Sequence, residues 1–327
     1  MRPLRTLALI GLIAASLIII SQSAFAQEPV RRLGVFTGSE LQPEAKQAFL
    51  ERLAALGYAA GRNLQIEFRV SQGPSERSSA LLAELLALNP DILVAGGPQN
   101  AVLVHTTAPT IPLVFVAVAD PVALGLVQNL AHPGGNVTGF ATLVPEDFIA
   151  KELQLLKTAV PTASRIALLA NPTNPMYPVE QAKFPETMRR LGVELFPVAA
   201  SSPDQLETAF ETAHTRRADA ILVFGDPLTV REGPKIANLS LQYSLPSMYL
   251  FRRNVIDGGL MSYGPNPVEY WDGAAPYVEK ILKGTKPGDL PIAQPTRFDL
   301  TINLKTARAL GVAVPPTLLA QAAEVVE

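Results

Sequence analysis

The chain has 327 residues, with 27 Lys and Arg against 29 Asp and Glu, a formal net charge of −2, 48% hydrophobic residues and only 17% charged ones. That balance excludes a disordered chain and leaves no basic patch for a nucleic-acid backbone. The absence of cysteine excludes disulfides, thiolate catalysis and Cys-ligated metals, and His105, His132 and His214 lie far apart with no second ligand at metal spacing, so no metal is expected.

In chain order, residues 1–26 read as an export signal. Arg2 and Arg5 precede an apolar run from Leu7 to Ile20, and Ala24-Phe25-Ala26 gives the small-x-small pattern of a cleavage site. The run is shorter than the ~20 residues that span a bilayer, and no later stretch is apolar enough to do so. Cleavage after Ala26, with Gln27 as the first mature residue, is therefore expected. Without a cysteine to carry lipid, a free monomer in a Gram-negative periplasm fits best.

The remaining length suggests two domains. Apolar runs at Leu33–Thr37, Leu64–Val70, Asp91–Ala95 and Leu113–Val118 predict strands, alternating with helical patterns near 43–56, 75–88, 98–107 and 121–130. The same order then repeats. Strands are expected at Arg165–Ala170, Val193–Val198, Ala220–Phe224 and Ser247–Phe251, with helices near 146–159, 178–191, 203–217 and 230–243. Residues repeat as well: Asp91 through Gly97-Pro98 answers Asp219 through Asp226-Pro227, and Leu56-Gly57 answers Leu191-Gly192, each Gly standing where a helix should stop. This pattern predicts an α/β fold of two doubly wound, Rossmann-like parallel-sheet domains with a cleft between them.

In open parallel sheets, ligands bind beyond the carboxyl ends of the strands. Gly97-Pro98, Asp120-Pro121, Asn171-Pro172 and Asp226-Pro227 all follow strand runs directly, each a possible helix cap beside a proline suited to the first helical turn. The candidate ligand-binding residues are accordingly Ser39, Glu40, Gly97, Gln99, Asn100, Asp120, Asn171, Asn174, Tyr177, Asp226, Phe251 and Tyr263. A ligand carboxylate would suit Ser39 and the helix start at Pro98, each charge-assisted bond contributing about 1.5–3 kcal/mol. An ammonium would suit Asp226 or Asp120. Phe251, Tyr177 and Tyr263 would stack on an aromatic group or bury an aliphatic one. For each Asp the alternative is a cap turned away from ligand, and for each aromatic a packing role.

Four stretches in order carry a family resemblance: Pro112 through Asp120-Pro121, Leu130 through Gly139, Gly258 through Gly264, and Leu304 through Gly311. From about residue 31 to 327 the chain resembles ABC transporter substrate-binding proteins of the tryptophan/tyrosine-binding-like family. The resemblance implies a type I periplasmic binding-protein fold, two lobes joined by three crossing segments, and delivery of a small solute to an inner-membrane ABC permease. The crossings are expected near Gly139–Leu143, Met261–Gly264 and Pro291–Pro295. That gives a first lobe of 30–140 plus 265–292 and a second of 141–262 plus 293–327, with Gly258, Gly259 and Gly264 either bending at the hinge or serving only as turns. Relatives often carry Thr or Ser at the position of Gly97 and small residues at those of Gln99 and Asn100. The ligand is therefore read as an amino acid or related small carboxylate, and tryptophan itself is not carried over.

An enzyme lacks its motifs here. No Gly-x-Ser-x-Gly elbow, Walker A loop or Gly-x-Gly-x-x-Gly follows a strand, and Glu146-Asp147 sits where acids favourably meet a helix dipole. Neither catalysis nor a cofactor is expected. A periplasmic ligand sensor would use the same fold, and the sequence leaves that alternative open.

Overall fold

The computed structural model describes residues 30–71, 76–142 and 148–327. The export signal with its cleavage site lies outside them, as do Glu146 and Asp147.

Strands β1 (Arg31–Thr37), β2 (Leu64–Val70), β3 (Ile92–Gly96), β4 (Leu113–Val118) and β5 (Val137–Ala141) form one sheet in the order β2-β1-β3-β4-β5, parallel throughout. Helices α1 (Pro43–Ala55), α2 (Glu76–Ala87) and α3 (Pro98–Thr107) make the crossovers between β1 and β4. The second sheet holds β6 (Arg165–Ala170), β7 (Glu194–Ala199), β8 (Ala220–Val223), β9 (Ser247–Tyr249), β10 (Met261–Pro265), β11 (Phe298–Asn303) and β12 (Glu324–Val326). Its order is β12-β11-β10-β9-β8-β6-β7. From its β7 edge inward, β7-β6-β8-β9-β10 copies β2-β1-β3-β4-β5, so the internal repeat seen in the sequence is a repeat of topology. β11 then pairs antiparallel with β10, and β12 runs parallel beside it. The chain is thus an α/β protein of two parallel-sheet domains.

The central strands are apolar on both faces because helices cover both faces. Every residue of β3 and of β8 is buried. Each fully buried Leu, Ile or Phe contributes about 1.5–3 kcal/mol, and such residues form one core cluster on each side of each sheet. The second sheet is covered by α4 (Phe148–Ala159), α5 (Met176–Gln181), α6 (Phe184–Leu191), α7 (Leu206–Thr215), α8 (Pro227–Arg231), α9 (Gly233–Gln242) and α10 (Arg252–Ile256), and further along by α12 (Leu304–Ala309) and α13 (Pro316–Leu319). Between these in sequence, α11 (Pro267–Leu282) packs on the first sheet instead, where Trp271 meets Phe49 of α1 edge-on with ring centroids 5.4 Å apart. No described helix is long and apolar enough to cross a membrane.

Three predicted helices differ. Residues 121–130 form turns, because the Asp120 carboxylate takes the amides of Val122 and Ala123 at 3.1 and 2.9 Å and Gly125, at φ 68°, bends the chain into the left-handed region after one turn. The helix expected over 178–191 is two, α5 and α6, since Pro185 has no N–H for the carbonyl of Gln181. Pro234 likewise offers none to Val230 and separates α8 from α9. The sequence reading placed only crossings at β5 and β10, and it assigned no element to β11, β12 or α11.

The chain passes between the sheets after β5, between β10 and α11, and between α11 and β11. The last passage runs beside β5: Ala141 N–H donates to the Ala293 carbonyl at 2.8 Å, and Ala293 N–H to that of Gly139 at 3.1 Å. Gly264 is needed for close approach, because a Cβ there would lie 1.9 Å from the Leu250 carbonyl oxygen.

Candidate functional site

Each sheet reverses its strand order once, between β1 and β3 in the first and between β6 and β8 in the second. At such a point neighbouring crossover helices leave on opposite faces, and a crevice opens at the strands' carboxyl ends. The two crevices face each other. Two adjoining cavities, with empty volumes of about 730 and 670 Å³ partly open to solvent, share Pro98, Ala117, Gly225 and Phe251 as lining.

The first wall is mostly backbone and small side chains. Thr37-Gly38-Ser39-Glu40 leaves β1, and Gly96-Gly97 leaves β3 into α3. Gly97 sits at φ 87°, where the left-handed backbone favours glycine, and it stands at the N-terminus of α3. Ala117, at φ 60° in an irregularity of β4 between Val116 and Val118, lines both cavities. No sequence signal distinguishes this alanine from its neighbours.

The second wall is polar at its centre. Asp226, 3% exposed, caps α8 by accepting the Leu228 amide at 2.8 Å. Its carboxylate also takes the side-chain amides of Asn171 at 3.2 Å, Asn174 at 3.0 Å and Gln99 at 2.7 Å. Four donors thus occupy the two oxygens, about the full capacity of a carboxylate. Asp226 is both a cap and a hub, and it presents no free lone pair to an ammonium in this conformation. Gln99 belongs to α3 and Asp226 to the second lobe, so their bond joins the two walls directly. The walls also touch at Gly38, where an added Cβ would lie 2.6 Å from the Pro227 ring.

Among the predicted residues, Ser39, Glu40, Gly97, Asn174, Asp226 and Phe251 line the cavities, and Gln99 bridges the walls. Asn171 stands behind Asp226, its own oxygen accepting from the backbone and hydroxyl of Thr173 at 3.0 and 2.7 Å. Asn100 turns into the first lobe, accepting from Ser71 at 3.0 Å and donating to the Gly96 carbonyl at 3.1 Å. Asp120 caps its turn and lines neither cavity. Tyr177 packs edge-on against Phe224, and Tyr263 stacks on Phe148 with centroids 5.4 Å apart, so both support wall residues from behind. Burial raises the pKa of each phenol.

Two acidic lining residues escaped the sequence reading. Glu152 of α4 and Glu180 of α5 are 5% and 7% exposed, and both face the cavity that Phe148, Phe224, Leu250 and Phe251 make apolar. Burial, and then the negative charge of Glu180, push the Glu152 carboxyl well above the ordinary carboxylate range. The signal was present in the sequence: Glu152 stands four residues after Phe148 and three after Ile149, on the buried stripe of its helix.

Two doubly wound lobes that bury a mixed polar and apolar cleft at their facing switch points define a binding protein for small solutes. The family model for ABC transporter substrate binding proteins matches residues 38–326, and the chain belongs to that family. It is 25% identical over 267 residues to the tyrosine-binding protein of Clostridioides difficile (strain R20291), covering 82% of this chain and 76% of that one. Its fold matches a solved ABC domain in complex with L-Trp from Streptococcus pneumonia with a TM-score of 0.83, at 23% identity over 90% of this chain and 99% of the other. The ligand-free, open structure of a substrate binding protein with adhesive properties from Clostridium difficile matches with a TM-score of 0.63, again at 23% identity, over 91% and 99%.

Proposed function

We propose that this protein is the exported solute-capture component of an ABC importer. It closes two lobes on a small amino acid, the cleft walls meeting its polar groups and an apolar wall its side chain, then delivers it to an inner-membrane permease without making or breaking a bond. The observation that carries this reading is the cleft itself: two facing switch points, a wall-to-wall bond between Gln99 and Asp226, and space for a small molecule between them. The names of the tyrosine-binding relative and of the Trp complex favour an aromatic amino acid. So does the wall of Phe148, Phe224, Leu250 and Phe251.

The same reading makes the three passages between the lobes a hinge, near 139–143, 261–264 and 291–295. The lobes are then 30–140 plus 265–292 and 141–262 plus 293–327. Export to the periplasm with cleavage after Ala26, and action as a monomer, belong to this proposal. Calorimetry of the purified protein with L-tyrosine and L-tryptophan tests it. Saturable binding of at least one, with a smaller radius of gyration in solution scattering, is expected. Binding of neither aromatic amino acid would overturn the ligand class.

A further inference from the structure

Glu152 occupies a place that the packing of its helix reserves for an apolar side chain. Phe148 and Ile149 lie one turn before it and Leu156 one turn after, all buried. Its Oε1 has no hydrogen-bond partner, although the residue is only 5% exposed. The other carboxylate of this cavity, Glu180, is bound by Lys183 at 2.9 Å, on a side where the lysine is 40% exposed. Two acidic side chains therefore face one cavity and one cation serves them, from outside. Around them the wall is Phe148, Ile149, Phe224, Leu250 and Phe251.

A leucine at position 152 would fill the stripe without an orphaned oxygen, and a buried carboxyl left without a partner costs stability. An occupant of the cavity that brings an N–H and a positive charge removes both costs at once. We propose that Glu152, with Glu180 beside it, receives the cationic group of the captured solute, an ammonium carried next to an apolar body that rests on the aromatic wall. This assignment rests on the solute-capture reading and deepens it. It moves the ammonium site from Asp226, whose oxygens are taken by four donors, to a carboxyl with an oxygen to spare. A cation there gains a charge-assisted bond in a cleft from which closure excludes water, where such bonds are strongest.

The test is a panel of related probes measured on the purified protein by calorimetry and thermal shift. It comprises L-tyrosine, L-tryptophan and L-leucine, the amines tyramine and tryptamine, and the deaminated acids 3-phenylpropionate and indole-3-propionate. Removing the ammonium is expected to weaken binding at least roughly tenfold. In Glu152→Gln that gap should shrink to about threefold or less, while the empty variant melts at or above the wild-type temperature. Equal binding of an amino acid and its deaminated analogue would overturn the ammonium subsite and leave solute capture standing. Binding of L-leucine alone among the probes, weakened in Glu152→Gln, would support the subsite and overturn the aromatic reading. Stabilisation by none of the ammonium-bearing probes would overturn both. The wild-type panel decides the matter even where the variant does not fold.

Discussion

At the switch point of the first lobe the chain enters the cleft as Gly38 after β1 and Gly97 after β3; at the matching ends of β6 and β8 stand Asn171, behind the wall, and Asp226, on it. The strand order is the same and the chemistry is opposite. In one wall the strand ends contribute little more than backbone and small side chains, with Glu40, Tyr270 and Trp271 beside them. The other contributes polar groups, with Asp226 and its amide donors in the middle and Glu152 and Glu180 to one side. Duplicated topology therefore does not imply duplicated roles.

The strongest way to break this contrast is to give the first wall a side chain where it has none. In Gly38→Val the new atoms meet Pro227 only when the lobes are together. Overpacking of this kind costs about 1–3 kcal/mol, so solute affinity is expected to fall by up to about 100-fold while the melting temperature of the empty open protein stays unchanged. Loss of stability with affinity retained would mean that position 38 is a packing site of one lobe.

Asp226→Ala attacks the second wall. It strips partners from Asn171, Asn174 and Gln99 and removes a helix cap, which should lower unfolding stability by about 2–4 kcal/mol in a denaturant titration and weaken binding as well. Gln99→Ala separates the two effects, because it deletes only the bond that joins the walls. A several-fold loss of affinity at unchanged stability is expected of it.

Glu152→Gln sharpens the account of the charged side through pH. The groups around Glu152 are Glu180, with Lys183 on its outer side, and the Tyr263 phenol; Glu186, Arg189 and Arg190 on the neighbouring helix α6 are exposed to solvent. A carboxyl whose pKa is raised by folding holds its proton in the native state after the unfolded chain has lost it. Stability contributed by that site is therefore greatest below the ordinary carboxylate pKa of about 4.3 and declines as pH rises from there toward the raised value. The empty Gln variant should melt above the wild type at neutral pH, with the difference closing in acid. The smallest effect is expected of Asp120→Ala, a lost turn cap of about 0.5–2 kcal/mol with binding unaltered.

Much of the fold was legible because β3, β4, β6 and β8 are short apolar runs soon followed by Gly-Pro, Asp-Pro or Asn-Pro, and the second half of the chain repeats the first. Boundaries fell where the competing signal was local. Gly125 and the Asp120 carboxylate stop a helix that apolar spacing alone would continue, and Pro185 and Pro234 each divide one. The cleft was legible in part for the same reason, since strand ends must face it. What the sequence did not disclose was direction. Asn100 sits in the segment expected and turns inward to Ser71, and Asp226 gathers donors from two separate segments besides its own, which no spacing along the chain records. Glu152 was missed for a different reason: a glutamate within a helix is ordinarily taken as a solvent-facing residue, and here its register with Phe148 and Ile149 was the better guide.

The chain contains a single tryptophan, Trp271, and it lies on the first wall of the cleft beside Tyr270, almost fully buried. Its emission therefore has one source and one location. With a solute that does not absorb at tryptophan's excitation edge, a change in the colour or lifetime of that light reports on the contact between the walls, so the protein carries its own optical gauge of whether it is full, with no label attached.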